Sequence, residues 1–158
     1  MKQKFRVSSL LISIVFAELV GALSALLSGN SISGYQGLNQ PPLSPPGWVF
    51  PVMWGILYAL MGTAAYLIYQ SDAEKQEKKK ALAFYGAQLF VNFLWSIVFF
   101  RFQAYWLSVA VIVLLDILLV ITMVKFARIR KSAMYFLIPY LAWVLFATYL
   151  DIGVAILN

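Results

Sequence analysis

This chain has no cysteine and no histidine among its 158 residues, and only 11% of them are charged. Without cysteine there is no disulfide and no thiolate ligand, and the redox compartment leaves no mark on the sequence. Without histidine, imidazole zinc sites, histidine acid–base catalysis and histidine-ligated haem are all excluded. The shortage of charge says most. A soluble domain of this length carries about twice that share, whereas here 63% of residues are hydrophobic and mean hydropathy is +0.84. The chain reads as an integral membrane protein. A net charge of +6 would suggest nucleic acid in a soluble protein; here its placement reports topology, and no nucleic-acid partner is expected.

Five apolar stretches, at about 7–27, 48–69, 81–100, 104–124 and 133–157, are each long enough to cross a bilayer as a helix. The first follows the basic residues Lys2, Lys4 and Arg6, and Ala22-Leu23-Ser24 could pass for a signal-peptide cleavage site. The run is too long for a signal h-region and Glu18 interrupts it, so it is read as a retained span. SDAEKQEKKK, at 71–80, reads as a solvent loop. Arg101-Phe102-Gln103 reads as a very short turn, and Lys125, Arg128, Arg130 and Lys131 as a basic loop closing the fourth span. Five spans put the amino terminus and these two basic loops on one side. Together they hold eleven of the twelve Lys and Arg residues, with Arg101 alone opposite. The positive-inside rule then places the amino terminus in the cytoplasm, with the first loop and the carboxyl terminus outside. No long internal repeat or soluble domain is visible. The expected fold is all-α, a five-transmembrane-helix bundle forming one domain over 1–158.

The chain is organised around PPLSPPGWVFPVMWGILYALM, at 41–61. A proline cluster that cannot be helical gives way within a few residues to Trp48, Phe50, Trp54 and Tyr58. Trp54, Tyr58 and Met61 recur at helical spacing on one face, and Pro51 falls in the first turns, where a missing N–H does least harm. The loop at 28–47 has no charge and is rich in Gly, Ser, Asn and Pro; Tyr35 and Leu38 give it something to bury, so it is expected to be an ordered lid. A rigid lid leading into an aromatic helix face suits a pocket for a flat apolar ligand. An interfacial aromatic belt would look the same and need no ligand.

Polar residues within spans are costly and face the protein interior, so Glu18, Gln88, Asn92, Asp116 and Asp151 are the next candidates. Asp116 sits mid-span in VLLDILLV. An isolated aspartate is no relay, so a structural carboxylate held by a neighbouring helix is the favoured reading over a proton or ligand contact. Glu18 has the same helix-packing reading, and Asp151, near the outer end, is expected to reach water. Gln88, Asn92 and Trp95 share a face, and the Asn92 amide offers a ligand both donor and acceptor. Trp143, Ala147 and Asp151 are spaced by four. A small Ala147 between large groups leaves room for a ligand or lets helices approach. Ala17, Gly21 and Ala25, and separately Ala83 and Ala87, form small-residue faces.

PPLSPPGWVFPVMWGILYALMG, QLFVNFLWSIVFF, LLDILLV and IPYLAWVLFATYL resemble, in order and on the expected spans, signature segments of the tryptophan-rich sensory protein and translocator protein family (TspO/MBR). The resemblance implies a five-helix bundle, commonly a homodimer, with a pocket under the first loop that binds porphyrins such as protoporphyrin IX. By position the ligand-binding residues would be Trp54, Tyr58, Asn92, Trp95, Trp143 and Ala147. Trp54 and Trp143 match the pair implicated in light-dependent porphyrin breakdown by some members. The family usually has tryptophan where Gly34 and Leu43 stand here, so the lid lacks two aromatic surfaces. No basic residue follows Lys131, so the family's carboxyl-terminal cholesterol motif is incomplete.

A macrocycle stacking on Trp54, Tyr58, Trp95 and Trp143 gains by apolar burial; its propionates need donors from loop amides, indole N–H groups or Asn92. With neither His nor Cys, a metal-free porphyrin is the natural guest; no metal site and no cofactor are expected. A porphyrin receptor or sensor is the leading expectation. The alternatives are a light- and oxygen-dependent porphyrin-degrading enzyme using Trp54 and Trp143, and a porphyrin or lipid transporter. No acid–base constellation supports other catalysis. The absence of an inverted repeat or a broken-helix pair weighs against a secondary transporter.

Overall fold

The apolar stretches form α1 (Val7–Ser28), α2 (Val49–Gln70), α3 (Lys75–Ser96), α4 (Tyr105–Ile129) and α5 (Lys131–Leu157), in a computed structural model that describes residues 5–29 and 35–158. Twenty-two residues of α1 at about 1.5 Å each reach about 33 Å, enough for a hydrocarbon core of about 30 Å. All five helices are long and apolar enough to span. Lys2, Lys4 and Gly34 lie outside the described residues.

The helices run further than hydropathy indicates. The charged segment after α2 is not all loop: α3 starts at Lys75, leaving only residues 71–74 between helices. Lys, Glu and Gln are good helix formers, and a hydropathy window registers only the apolar part of a helix. The segment also closes α2, because Lys78 Nζ donates to Tyr69 O at 3.1 Å and Ser71 Oγ donates to Ile68 O at 2.7 Å. Likewise Lys125 and Arg128 belong to α4, and Arg130 alone separates α4 from α5. Beyond α3 the chain widens into a π-helical turn, Ile97–Arg101, and reverses through Gln103, whose φ is +51°.

Around the bundle α1 packs on α2, α2 on α5, α5 on α4 and α4 on α3, with a looser seam where α3 returns to α1 and α2. Backbone proximity sets the first of these contacts. A Cβ on Gly62 would lie 2.6 Å from Ile14 Cα, and Ser13 Oγ donates to Gly62 O at 2.7 Å. At its carboxyl-terminal end α1 stops at Gly29, whose φ of +81° and ψ of −149° belong to a region that only glycine enters freely.

The described part of the first loop is anchored to the carboxyl-terminal end of α5. Asn39 N donates to Asn158 Oδ1 at 3.1 Å, and Asn158 Nδ2 donates back to Asn39 O at 2.9 Å. Tyr149 Oη donates to Pro42 O at 2.6 Å, and Pro41 covers Gly153 so closely that a Cβ there would come within 2.5 Å of it. Tyr35 is buried against Phe50, with ring centroids 4.9 Å apart, and donates to Ser44 Oγ at 2.9 Å. The expectation that Tyr35 gives the loop a core is met. Leu43 is left-handed, with φ +70°, and 83% exposed, so this departure from the family pattern faces outward.

Candidate functional site

A cavity of about 380 Å³ opens in the loose seam between α1, α2 and α3. Its size falls within the range of small-molecule sites. α2 contributes Phe50, Pro51, Trp54, Gly55 and Tyr58; α3 and its π turn contribute Asn92, Trp95, Ser96 and Phe100. The wall from α1 carries Glu18, Gly21, Ala22, Ser24 and Ala25. Trp54 lies at ring-centroid distances of 5.8 Å from Tyr58 and 6.3 Å from Trp95, so the two helices present one aromatic surface. Tyr58 lies flush against Gly21, where a Cβ would come within 2.3 Å of its ring. No described residue of the first loop lines this cavity; it opens between helices.

Of the six residues singled out for ligand binding, Trp54, Tyr58, Asn92 and Trp95 line this cavity, while Trp143 and Ala147 do not. Trp143 stands behind Trp54, edge to face at 6.4 Å, and its buried indole N–H has no hydrogen-bond partner among the described residues. Ala147 borders a separate crevice of about 10 Å³ between Tyr35, Trp95, Phe99 and Asp151, too small for any ligand.

Hydrogen bonding narrows what these groups offer. Asn92 Nδ2 donates to Tyr140 Oη at 2.8 Å, and Tyr140 Oη donates onward to Gln88 Oε1 at 2.7 Å. One Asn92 N–H is therefore committed within the protein, and its second N–H and its amide oxygen have no partner among the described residues. Trp95 Nε1 is likewise committed, donating to Asp151 Oδ2 at 2.9 Å. Asp151 does not reach water: it is 1% exposed and also accepts from Ser108 Oγ at 2.8 Å. The helix turns it inward, where the two donors compensate its burial. Asp116 is held by Thr148 of α5, whose Oγ1 donates to Oδ2 at 2.8 Å, matching its structural reading.

Glu18 departs most from expectation. It is not a helix-packing contact but a wall of the cavity, and it makes no hydrogen bond or ion pair among the described residues. Gly21 and Ala25 follow it at helical spacing on the same wall. That spacing is legible in the sequence, but it reads equally as a packing face. Phe50 and Phe100 carried no signal beyond being aromatic.

The chain matches the TspO/MBR family over residues 13–157. It is 40% identical over 124 residues to the tryptophan-rich protein TspO of Chlorobaculum tepidum, covering 78% of each chain. The protein of that name from Archaeoglobus fulgidus is 33% identical over 150 residues, 94% of this chain and 96% of its own. The human translocator protein is 32% identical over 129 residues, 81% of this chain and 76% of its own. Five membrane-spanning helices and a match over nearly the whole chain establish that this protein belongs to the TspO/MBR family.

Proposed function

We propose that this chain is a membrane receptor or sensor that binds a flat apolar ligand of the porphyrin class in the cavity between α1, α2 and α3. The observation that carries the reading is the joined surface of Trp54, Tyr58 and Trp95, which gives a planar ring stacking area and apolar burial. Relatives named tryptophan-rich sensory protein, in Cereibacter sphaeroides, and translocator protein, in humans, support a receptor role. Since Trp95 has committed its only N–H and Asn92 one of its two, propionates are left the second Asn92 N–H, the Trp54 indole N–H and groups toward the outer end, where the exposed Arg101 donates to Leu27 O at 3.3 Å. The distribution of basic residues supports a cytoplasmic amino terminus. A homodimer belongs to the same reading, and cross-linking in vesicles tests it.

The deciding experiment is a titration of protoporphyrin IX into detergent-purified protein, followed by tryptophan fluorescence. The reading expects saturable quenching, with affinity lowered about tenfold by Trp54→Ala. Quenching that is linear and indifferent to the substitution means partition into the micelle and overturns it.

A second reading, light- and oxygen-dependent porphyrin breakdown, draws on the contact of Trp54 with both Trp95 and Trp143. It expects bound porphyrin to bleach faster under illumination than free porphyrin. An unchanged rate in the Trp54→Phe, Trp143→Phe double variant removes the residues it depends on.

A further inference from the structure

Glu18 lies close to the middle of α1, ten residues from the helix end at Ser28. A carboxyl at that depth is costly unless something in the protein or a ligand compensates it. The protein supplies little: among the described residues Glu18 has no hydrogen bond or ion pair, only the Tyr58 phenol lies within electrostatic reach, and no other charged side chain lines the cavity. Asn92 lines the same space, and among the described residues its amide oxygen accepts no hydrogen bond while one of its N–H groups is held by Tyr140. Two acceptors are thus left open to one cavity. The remaining walls include the rings of Trp54, Tyr58 and Trp95, whose faces attract cations, most strongly where water is excluded.

We infer that this cavity also recognises lipophilic organic cations, with a charged N–H of a protonated flat aromatic base paired to Glu18 and its ring system lying on Trp54 and Tyr58. The bound cation supplies the counter-charge and the N–H donors that Glu18 and the Asn92 oxygen lack. The aromatic body of the ligand takes the apolar surface. This ligand class differs from a porphyrin, whose charged edge is anionic and calls for donors rather than for Glu18, and the inference does not require porphyrin to be a guest. It uses a residue outside the aromatic set, so the two readings fail separately.

The test compares two probes of one three-ring outline, 9-aminoacridine, cationic at neutral pH, and anthracene, neutral, in a nonionic detergent. Each is titrated into wild-type protein and into Glu18→Gln and Glu18→Asp by tryptophan-fluorescence quenching. The wild type should bind 9-aminoacridine saturably and at least about tenfold more tightly than anthracene, as a buried charge pair requires. Glu18→Gln, which keeps shape and removes charge, should abolish that preference while leaving anthracene affinity within about twofold. Glu18→Asp should retain part of it. A wild type that does not prefer the cation, a preference that survives in Glu18→Gln, or an equal loss of both probes in that variant overturns the inference.

Discussion

The indole N–H of Trp95 donates to Asp151 Oδ2 at 2.9 Å, tying the aromatic wall of the cavity on α3 to a fully enclosed carboxylate on α5. Ser108 of α4 donates to the other oxygen at 2.8 Å. Three helices meet on one side chain, and Trp95 is held at the cavity by that bond rather than by packing alone. Asp151→Ala leaves the buried Trp95 N–H unpaired, while Ser108 Oγ keeps Tyr105 O as an acceptor at 2.6 Å, and should lower stability by about 1–3 kcal/mol. Asp151→Asn keeps an acceptor oxygen and should cost less. Thermal unfolding in detergent, with the near-ultraviolet circular dichroism of the tryptophans, checks both. An alanine variant that melts with the wild type would show that the bond contributes nothing.

Gly62 and Gly21 should respond differently to alanine. At Gly62 the added Cβ meets Ile14 Cα at 2.6 Å, and backbone cannot step aside. Gly62→Ala should therefore push α1 off α2 and lower stability by about 1–3 kcal/mol. At Gly21 the Cβ meets the Tyr58 ring, which is a cavity wall. Gly21→Ala should displace that ring and reduce protoporphyrin quenching by more than it reduces the melting temperature. If both variants lose stability alike and binding alike, Tyr58 is not the element that yields.

The anchored loop has an alkaline limit. Burial raises the Tyr35 phenol above its ordinary value near 10.0, only partly offset by its hydrogen bond with Ser44, and Tyr149 adds to the rise. A raised phenol favours the neutral folded form. The stability it supports is complete below about pH 10, the unfolded value, and is lost as pH climbs through the higher folded value. Titrating phenolate absorbance in wild type and Tyr35→Phe should show the variant missing a tyrosine that ionises above the ordinary value. A missing tyrosine with an ordinary titration would contradict this.

Trp54 and Trp143 match the same family pair, yet the tertiary structure gives them different positions. Trp54 lines the cavity, and Trp143 supports it from behind at 6.4 Å. Trp143→Phe keeps an aromatic ring in that position and should change protoporphyrin affinity by no more than about threefold, against about tenfold for Trp54→Ala. Equal effects would place the ligand between the two rings.

Helix number, order and membrane character were legible in the sequence, because apolar length and the placement of Lys and Arg are direct consequences of bilayer thermodynamics. The aromatic face of Trp54 and Tyr58 was legible too, since spacing by four on a helix is local geometry. Helix ends were not. Lys75–Lys80 and Lys125–Ile129 are helical outside the apolar stretches, where hydropathy carries no information.

Pairing between helices is what only the tertiary structure decided. Nothing local distinguishes Asp151, which turns inward to Trp95 and Ser108, from a residue that reaches water at the end of a span. Nothing local says that Asn92 gives one of its N–H groups to Tyr140. Glu18 on a packing face and Glu18 in a cavity wall have the same sequence. They differ only in how closely α3 returns to α1, and that distance is set by contacts far apart along the chain.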